Sequence, residues 1–370
     1  MWPSNKTIRV MVVDDSIVAR TMLTRGLSSH PQIEVVGAGF SARDAKNKIQ
    51  QLRPDVMTLD VEMPGMSGID FLKTLLPEYP LPVILVSSLN LRVFDALAAG
   101  AVDFVRKPDA SQSTDAFING LCQKVITAAS ARVRRPVPTP GAGMVLPTAA
   151  GTGAGAGASI APPPPPSAAP LLGPRPVLDQ VIIGLGASTG GTEATLEVMK
   201  RLPADIPGML IVQHMPTGFT GMYAERLNRL CQMEVKEAAH GDVIRRGLAL
   251  LAPADHQMRV VRSGSRYTVS CLPGGEKVSG HRPSVDALFL SMAEQVKCRM
   301  AGIIMTGMGR DGADGLLQMR KQGAYTIGQD KESCVVYGMP MVAYNIGAVQ
   351  TQASCENIAG VLLRYLNQLT

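Results

Sequence analysis

Between residues 131 and 177 the chain has no aromatic and no acidic residue, yet it holds twelve of the 27 prolines, including the run 162–166, together with Gly-Ala repeats. Such a segment cannot bury enough apolar area to offset the entropy of ordering it. Whatever folds in these 370 residues must therefore fold on either side of it, as two units of ordinary domain size. The segment itself is expected to be a spacer, flexible in its Gly-Ala part and stiffer along the proline run. It also carries most of the charge imbalance. The formal net charge is +6, and four arginines (132, 134, 135, 175) lie in this acid-free stretch, leaving the rest near +2. The basicity is thus mostly a property of the spacer, which weakens a nucleic-acid reading, and no nucleic-acid partner is expected.

Other classes are excluded as simply. An apolar content of 46% with 18% charged residues describes globular protein. No run approaches the roughly 18 apolar residues of a spanning helix, and nothing near Met1 resembles a signal peptide. The six cysteines are scattered without a C-x-x-C pair, which fits reduced thiols in a cytoplasmic protein and argues against zinc.

Ahead of the spacer, Ile8-Arg-Val-Met-Val-Val-Asp-Asp15 reads as a strand ending in two carboxylates. Asp55-Val-Met-Thr-Leu-Asp60 ends in another, Val83-Ile-Leu-Val-Ser-Ser88 in hydroxyls, and Ala101-Val-Asp-Phe-Val105 runs into Arg106-Lys-Pro108. Glu34-Val-Val-Gly-Ala38 supplies a fifth strand, and helical spacing falls at about 16–28, 41–52, 68–76, 91–99 and 113–129. Five strands alternating with five helices predict a doubly wound parallel sheet, whose strand C-termini share the ligand-binding edge. Asp14, Asp15, Asp60, Ser87 and Lys107 would converge there. Three carboxylates in one pocket repel unless a cation intervenes, and hard oxygen donors suit Mg²⁺. Lys107 would steady a phosphoryl group.

This constellation resembles the receiver domain of two-component response regulators, a flavodoxin-like (βα)5 fold. The resemblance covers about residues 6–129 and includes Asp60-Val-Glu-Met-Pro-Gly-Met-Ser-Gly68. It implies that Asp60 is the phosphoacceptor, that Asp14, Asp15, Asp60 and the backbone carbonyl of Glu62 hold Mg²⁺, and that a histidine kinase is the phosphodonor. Ser87 and Phe104 would be the switch residues, with Lys107 preceding a cis Pro108. One departure is visible: residues 87–100 are about one helical turn short, which bears on the fourth helix and any contact it makes.

Beyond the spacer, residues 181–185 form a short apolar run rich in β-branched side chains, and Gly186-Ala-Ser-Thr-Gly190 follows before a helical pattern at 192–202. Ser188 thus sits on a strand-to-helix turn fitting G-x-S-x-G, the turn that lifts a nucleophile above a sheet. A glycine-rich phosphate loop is the other reading, but neither G-x-G-x-x-G nor the P-loop pattern can be written across it. His214 follows a second strand, 208–213, and Asp311 follows a third, 300–306, inside a glycine-rich turn. All three would meet at one sheet edge as nucleophile, base and orienting carboxylate. The chain order Ser, His, Asp differs from that of the α/β-hydrolases.

Gly186-Ala-Ser-Thr-Gly-Gly191, Gln213-His-Met-Pro216, His281-Arg-Pro-Ser-Val-Asp286, Thr306-Gly-Met-Gly-Arg-Asp-Gly312 and Val335-Val-Tyr-Gly-Met-Pro340, in this order behind a receiver, resemble the chemotaxis protein-glutamate methylesterase/glutaminase family, CheB. The resemblance implies a Rossmann-like, mostly parallel catalytic domain over 178–370, after a receiver over 1–129 and a linker over 130–177. It implies hydrolysis of glutamate γ-methyl esters, and deamidation of glutamines, on methyl-accepting chemotaxis receptors, with no cofactor for the ester chemistry. The backbone N–H groups of His214 and Met308 would bind the oxyanion, and Thr189 would support the elbow. A cytoplasmic monomer without membrane insertion is expected.

Weaker candidates are His256, expected to be structural, and Arg282, expected near the cleft within the cluster His281, Arg282, Asp286. The seven methionines between 292 and 341 are expected as core filler. Two other functions compete: a DNA-binding response regulator, which needs a compact helix-turn-helix that 178–370 does not suggest, and a non-catalytic adaptor.

Overall fold

The computed structural model describes residues 6–88, 92–108, 113–133 and 171–369, so the spacer reading falls largely outside the described residues. The first unit contains strands β1 (Ile8–Val13), β2 (Ile33–Gly39), β3 (Val56–Leu59), β4 (Val83–Ser87) and β5 (Asp103–Arg106). They pair in parallel in the order β2-β1-β3-β4-β5, the doubly wound order anticipated from the alternation of strands and helices. Helices α1 (Ile17–Ser28), α2 (Ala42–Leu52), α3 (Gly68–Glu78), α4 (Arg92–Ala98) and α5 (Thr114–Ala129) alternate with them. Four of these helices start where the chain offers a serine. Ser16, Ser41, Ser67 and Ser113 each accept the N–H three residues on, satisfying a donor the helix leaves orphaned.

Within the short segment, α4 spans seven described residues. The cis proline expectation fails: the cis peptide bond among the described residues is Arg282–Pro283, and Lys107–Pro108 is not cis.

The second unit is a seven-stranded sheet, every pairing parallel, in the order β14-β13-β12-β6-β7-β9-β8. Its strands are β6 (Val181–Ala187), β7 (Gly208–Gln213), β8 (Glu234–Glu237), β9 (Leu248–Leu251), β12 (Arg299–Ile304), β13 (Tyr325–Gln329) and β14 (Thr351–Ala353). Strands β10 (His256–Ser263) and β11 (Arg266–Pro273) form a separate antiparallel hairpin, which the strand reading had not anticipated. The helices are α6 (Gly191–Met199), α7 (Phe219–Leu230), α8 (Val285–Gln295), α9 (Ala313–Lys321), α10 (Met339–Asn345) and α11 (Cys355–Gln368). From β6 the chain winds outward through β7, then returns to build β12, β13 and β14 on the other flank. The strand order therefore reverses between β6 and β12, where an open α/β sheet has its ligand crevice.

The two units are packed together. Phe94 of α4 and Phe104 of β5 meet Phe219 and Tyr223 of α7 in one buried aromatic cluster. Phe104 lies 4.6 Å from Phe219, and Phe94 stacks on Tyr223 at 5.5 Å. Short as it is, α4 thus makes a direct contact with the second unit.

Candidate active site

Ser188 directly follows β6, all seven positions of which are buried. Two glycines make room around it, one in the turn that follows and one in a neighbouring loop. Gly190 has φ +75, and a Cβ there would come 2.5 Å from Val335. A Cβ on Gly307, in the loop after β12, would come 2.7 Å from the Ser188 Cβ, so that loop lies directly against the serine.

His214 follows β7 and Asp311 follows β12, and the structure brings all three residues together. His214 Nδ1 is 3.1 Å from Ser188 Oγ, and His214 Nε2 is 2.8 Å from Asp311 Oδ2. Asp311 is buried; burial alone would raise its pKa, but hydrogen bonds from His214, Ser284 and the Asp286 amide hold it below the ordinary carboxylate value. An ionised carboxylate only accepts, so Nε2 carries the imidazole proton and the Nδ1 lone pair faces the serine hydroxyl.

Several supporting residues were missed from sequence. Asp311 also accepts from Ser284 Oγ (2.7 Å), Val285 N (2.7 Å) and Asp286 N (3.0 Å), so it is seated on the N-terminus of α8. Ser284 caps that helix through the Ala287 N–H, and Ser-Val-Asp ahead of an apolar run was the available signal. Gln213, buried beside the histidine, donates to the carbonyls of Ser188 (2.8 Å) and His214 (3.1 Å), tying the elbow to β7.

The oxyanion expectation is corrected in one half. The His214 N–H is already bonded to the Ala187 carbonyl at 3.1 Å, continuing the strand ladder. The N–H groups of Thr189 and Met308 have no hydrogen-bond partner among the described residues. Both residues are also held by the first unit. Thr189 Oγ1 donates to Asp103 Oδ2 at 2.6 Å, so its side chain reaches across the interface, while its carbonyl accepts from Thr306. Thr127 Oγ1 of α5 lies 2.8 Å from Met308 Sδ. Asp103 is further bonded by Lys124 at 2.6 Å.

Of the weaker candidates, His256 Nδ1 bonds the Ala254 carbonyl, Arg282 pairs with Asp255, and Asp286 accepts from Gly315 N and Ser279. Among the seven methionines, Met292, Met300, Met305, Met319 and Met339 are core, whereas Met308 is 42% exposed beside the serine.

At the edge of the first sheet, carboxylate oxygens of Asp14, Asp15 and Asp60 lie within 4.8 Å of one another. Lys107 Nζ is 2.6 Å from Asp60 and 2.8 Å from Asp14. Burial raises the Asp60 pKa, with neighbouring Asp14 adding to it against the opposing pull of Lys107. One lysine cannot neutralise three carboxylates, and all the donors are hard oxygens, so the residues fit Mg²⁺. Ser87 Oγ is buried and has no hydrogen-bond partner among the described residues. The Glu62 N–H turns toward Asp60 Oδ1 at 3.3 Å, which puts Glu62 beside the same carboxylate.

Known proteins show the same two modules. The response regulator receiver domain model matches residues 10–118, and the CheB methylesterase model matches 183–362. The protein-glutamate methylesterase/protein-glutamine glutaminase 2 of Syntrophomonas wolfei is 48% identical over 98% of this chain and 99% of its own length. The protein of that function named in Syntrophotalea carbinolica is 45% identical over 98% and 99%. Among solved structures, the Thermotoga maritima CheB methylesterase catalytic domain is 32% identical, with a TM-score of 0.48, over 50% of this chain and 97% of its own. With a receiver ahead of a methylesterase domain and such relatives along nearly its whole length, the chain belongs to the chemotaxis protein-glutamate methylesterase/protein-glutamine glutaminase family.

Proposed function

We propose that Ser188 is the nucleophile of this methylesterase, His214 its general base and Asp311 the carboxylate that orients the base. The observation that carries this is the unbroken chain from Ser188 Oγ through both ring nitrogens of His214 to a buried, helix-capped Asp311. His214 Nδ1 takes the serine proton as Oγ attacks the γ-carbonyl carbon of a receptor glutamate methyl ester. The N–H groups of Thr189 and Met308, without partners among the described residues and adjacent to the serine, are the oxyanion donors; losing one such donor generally costs about 10²–10³ in rate. The protonated imidazole returns its proton to the departing methoxide, and methanol leaves an acyl-serine. His214 then activates a water that releases the glutamate. With a glutamine substrate, ammonia leaves in the first half and the second half is unchanged.

The receiver regulates this site through Asp60, with the chemotaxis histidine kinase as phosphodonor and methyl-accepting receptors as substrate. Asp14, Asp15, Asp60 and the Glu62 carbonyl would hold Mg²⁺, which when bound offsets phosphoryl charge at Asp60. Lys107 supplies a second positive charge, and the Ser87 hydroxyl, without a partner among the described residues, would donate to the new phosphoryl oxygen. Phe104, packed on Phe219, couples that change to the interface holding Thr189 and Met308. The closed arrangement is the resting form, in which the residues flanking the serine are engaged by the receiver. No described helix is long and apolar enough to cross a membrane, in keeping with action from the cytoplasmic side. The domain division of 1–129, 130–177 and 178–370 follows from the same reading.

A fluorophosphonate serine probe tests the assignment. The full-length protein should be labelled on the peptide containing Ser188, and Ser188→Ala should not be. Equal labelling of both proteins would remove Ser188 as nucleophile and leave the elbow as a binding loop.

A further inference from the structure

The His281 ring lies flat on the His214 ring, with centroids 3.9 Å apart and planes 13° from parallel. Among the described residues, His214 is held in its own plane at two points, Nδ1 against Ser188 and Nε2 against Asp311. Two in-plane hydrogen bonds leave the ring free to rock about the line joining those nitrogens. Rocking bends both bonds away from linearity and takes the Nδ1 lone pair off the serine oxygen. A flat group against the face of the ring removes that freedom. We propose that His281 is a positioning residue of the esterase, a neutral aromatic face that fixes the plane of His214 and supports it when it becomes imidazolium.

The surroundings of His281 fit this role. Its backbone is pinned on both sides. The His281 N–H donates to the Val278 carbonyl at 2.9 Å, and the His281 carbonyl accepts from Val278 N at 3.1 Å and Gln257 Nε2 at 2.9 Å. Gln257 in turn accepts from Ser284 N at 2.9 Å, so the residue that carries the stack and the helix start that seats Asp311 share one anchor. Neither ring nitrogen of His281 has a hydrogen-bond partner among the described residues, so the ring is not there to satisfy a bond of its own. The ring is half-buried and its nitrogens are not among the buried unpaired polar atoms, so they can turn to solvent while the face stays on His214. The titratable groups around it are His214, Asp311, Lys277 and Lys124. Burial first, then the neighbouring His214, push its pKa down to about 4, so near neutral pH it carries no charge to oppose proton uptake by His214. An aromatic face under a cation is also attractive in itself.

The inference rests on the triad assignment above, and the test separates the two. Methanol release from methylated receptor membranes and fluorophosphonate labelling rates are measured on full-length wild type, Ser188→Ala, His281→Ala, His281→Gln and His281→Phe, each with a small phosphodonor and Mg²⁺. The expected result is that His281→Ala and His281→Gln lower kcat at least tenfold with KM within twofold, and slow labelling in parallel. His281→Phe, which keeps a neutral flat face, should stay within about threefold of wild type in both. Thermal unfolding checks the fold, and should His281→Ala fail to fold, the Gln and Phe variants carry the comparison. Unchanged kcat in the Gln variant would overturn the proposal, and so would a Phe variant as slow as Gln, since the imidazole would then act by its nitrogens. Labelling of wild type but not of Ser188→Ala keeps the triad standing in either case; equal labelling of the two would instead remove the triad itself.

Discussion

Removing the Asp103 carboxylate should switch the enzyme partly on without phosphorylation. In the closed form Asp103 accepts the Thr189 hydroxyl at 2.6 Å and Lys124 Nζ at 2.6 Å, and it is 7% exposed. Asp103→Ala deletes a charge-assisted hydrogen bond between the two domains, which is worth about 1.5–3 kcal/mol. Lys124 keeps enough exposure to turn to water, so little of that loss is recovered or added on the receiver side. The open form never contains the Thr189 bond, so the closed-to-open ratio falls by about 10- to 100-fold. Basal methanol release from receptor membranes should rise by about tenfold or more, up to the ceiling set by the phosphorylated enzyme. Thr189→Val cuts the same bond from the other side, and each variant is judged by its own ratio of unphosphorylated to phosphorylated rate. Because both changes remove one interaction, the double variant should shift that ratio no further than Asp103→Ala alone. Ratios within twofold of wild type in both single variants would show that this bond does not hold the enzyme closed.

Ser188→Ala and His214→Ala should each abolish ester hydrolysis, with the double variant little worse, while Asp311→Asn should fold normally and lose most of kcat in a methanol-release assay. The His281 pKa, lowered from 6.5 to about 4, adds a pH dependence to stability. Between those values the unfolded chain takes up a proton that the folded chain refuses, so stability falls as pH drops from 6.5 toward 4. The full difference would be about 3 kcal/mol in a dry site, and about half of that for a ring solvent partly reaches. Urea unfolding of wild type and His281→Phe at pH 7 and 4.5 should show the variant losing less stability. Deleting residues 151–161 should leave phosphorylation control nearly intact, because a spacer of this composition sets no docking angle, whereas cutting within 141–167 should free a fragment faster than the resting protein. Loss of control in the deletion, read by the same assay, would make the spacer part of the switch.

What could be read from sequence was whatever local pattern dictates. Strands such as β1, β3 and β6 are nearly continuous apolar runs, and the residues at their C-terminal ends must share one edge once the sheet is parallel. That reasoning anticipated the meeting of Ser188, His214 and Asp311, and of Asp14, Asp60 and Lys107. What it missed depends on contacts far apart in the chain. The Asp103–Thr189 bond spans 86 positions and the Thr127–Met308 contact 181, so no periodicity announces them. A charged residue inside the apolar run Ala-Val-Asp-Phe-Val was the one available clue for Asp103. Gln213 is illegible for a similar reason, since its bond to the Ser188 carbonyl joins two strands 25 positions apart. The oxyanion donor assigned to His214 failed because the strand ladder had already engaged that N–H.

A Ser188 esterase held closed by its receiver should be released through Asp60. The most direct measurement is methanol release from methylated receptor membranes by wild type, Ser188→Ala and Asp60→Ala, each with and without phosphodonor and Mg²⁺. Wild type should be stimulated severalfold to about a hundredfold, the latter requiring only about 2.7 kcal/mol of differential stabilisation. Asp60→Ala should stay at the resting rate with or without phosphodonor, and Ser188→Ala should release no methanol in either condition. Stimulation that persists in Asp60→Ala, or turnover that persists in Ser188→Ala, would contradict the account.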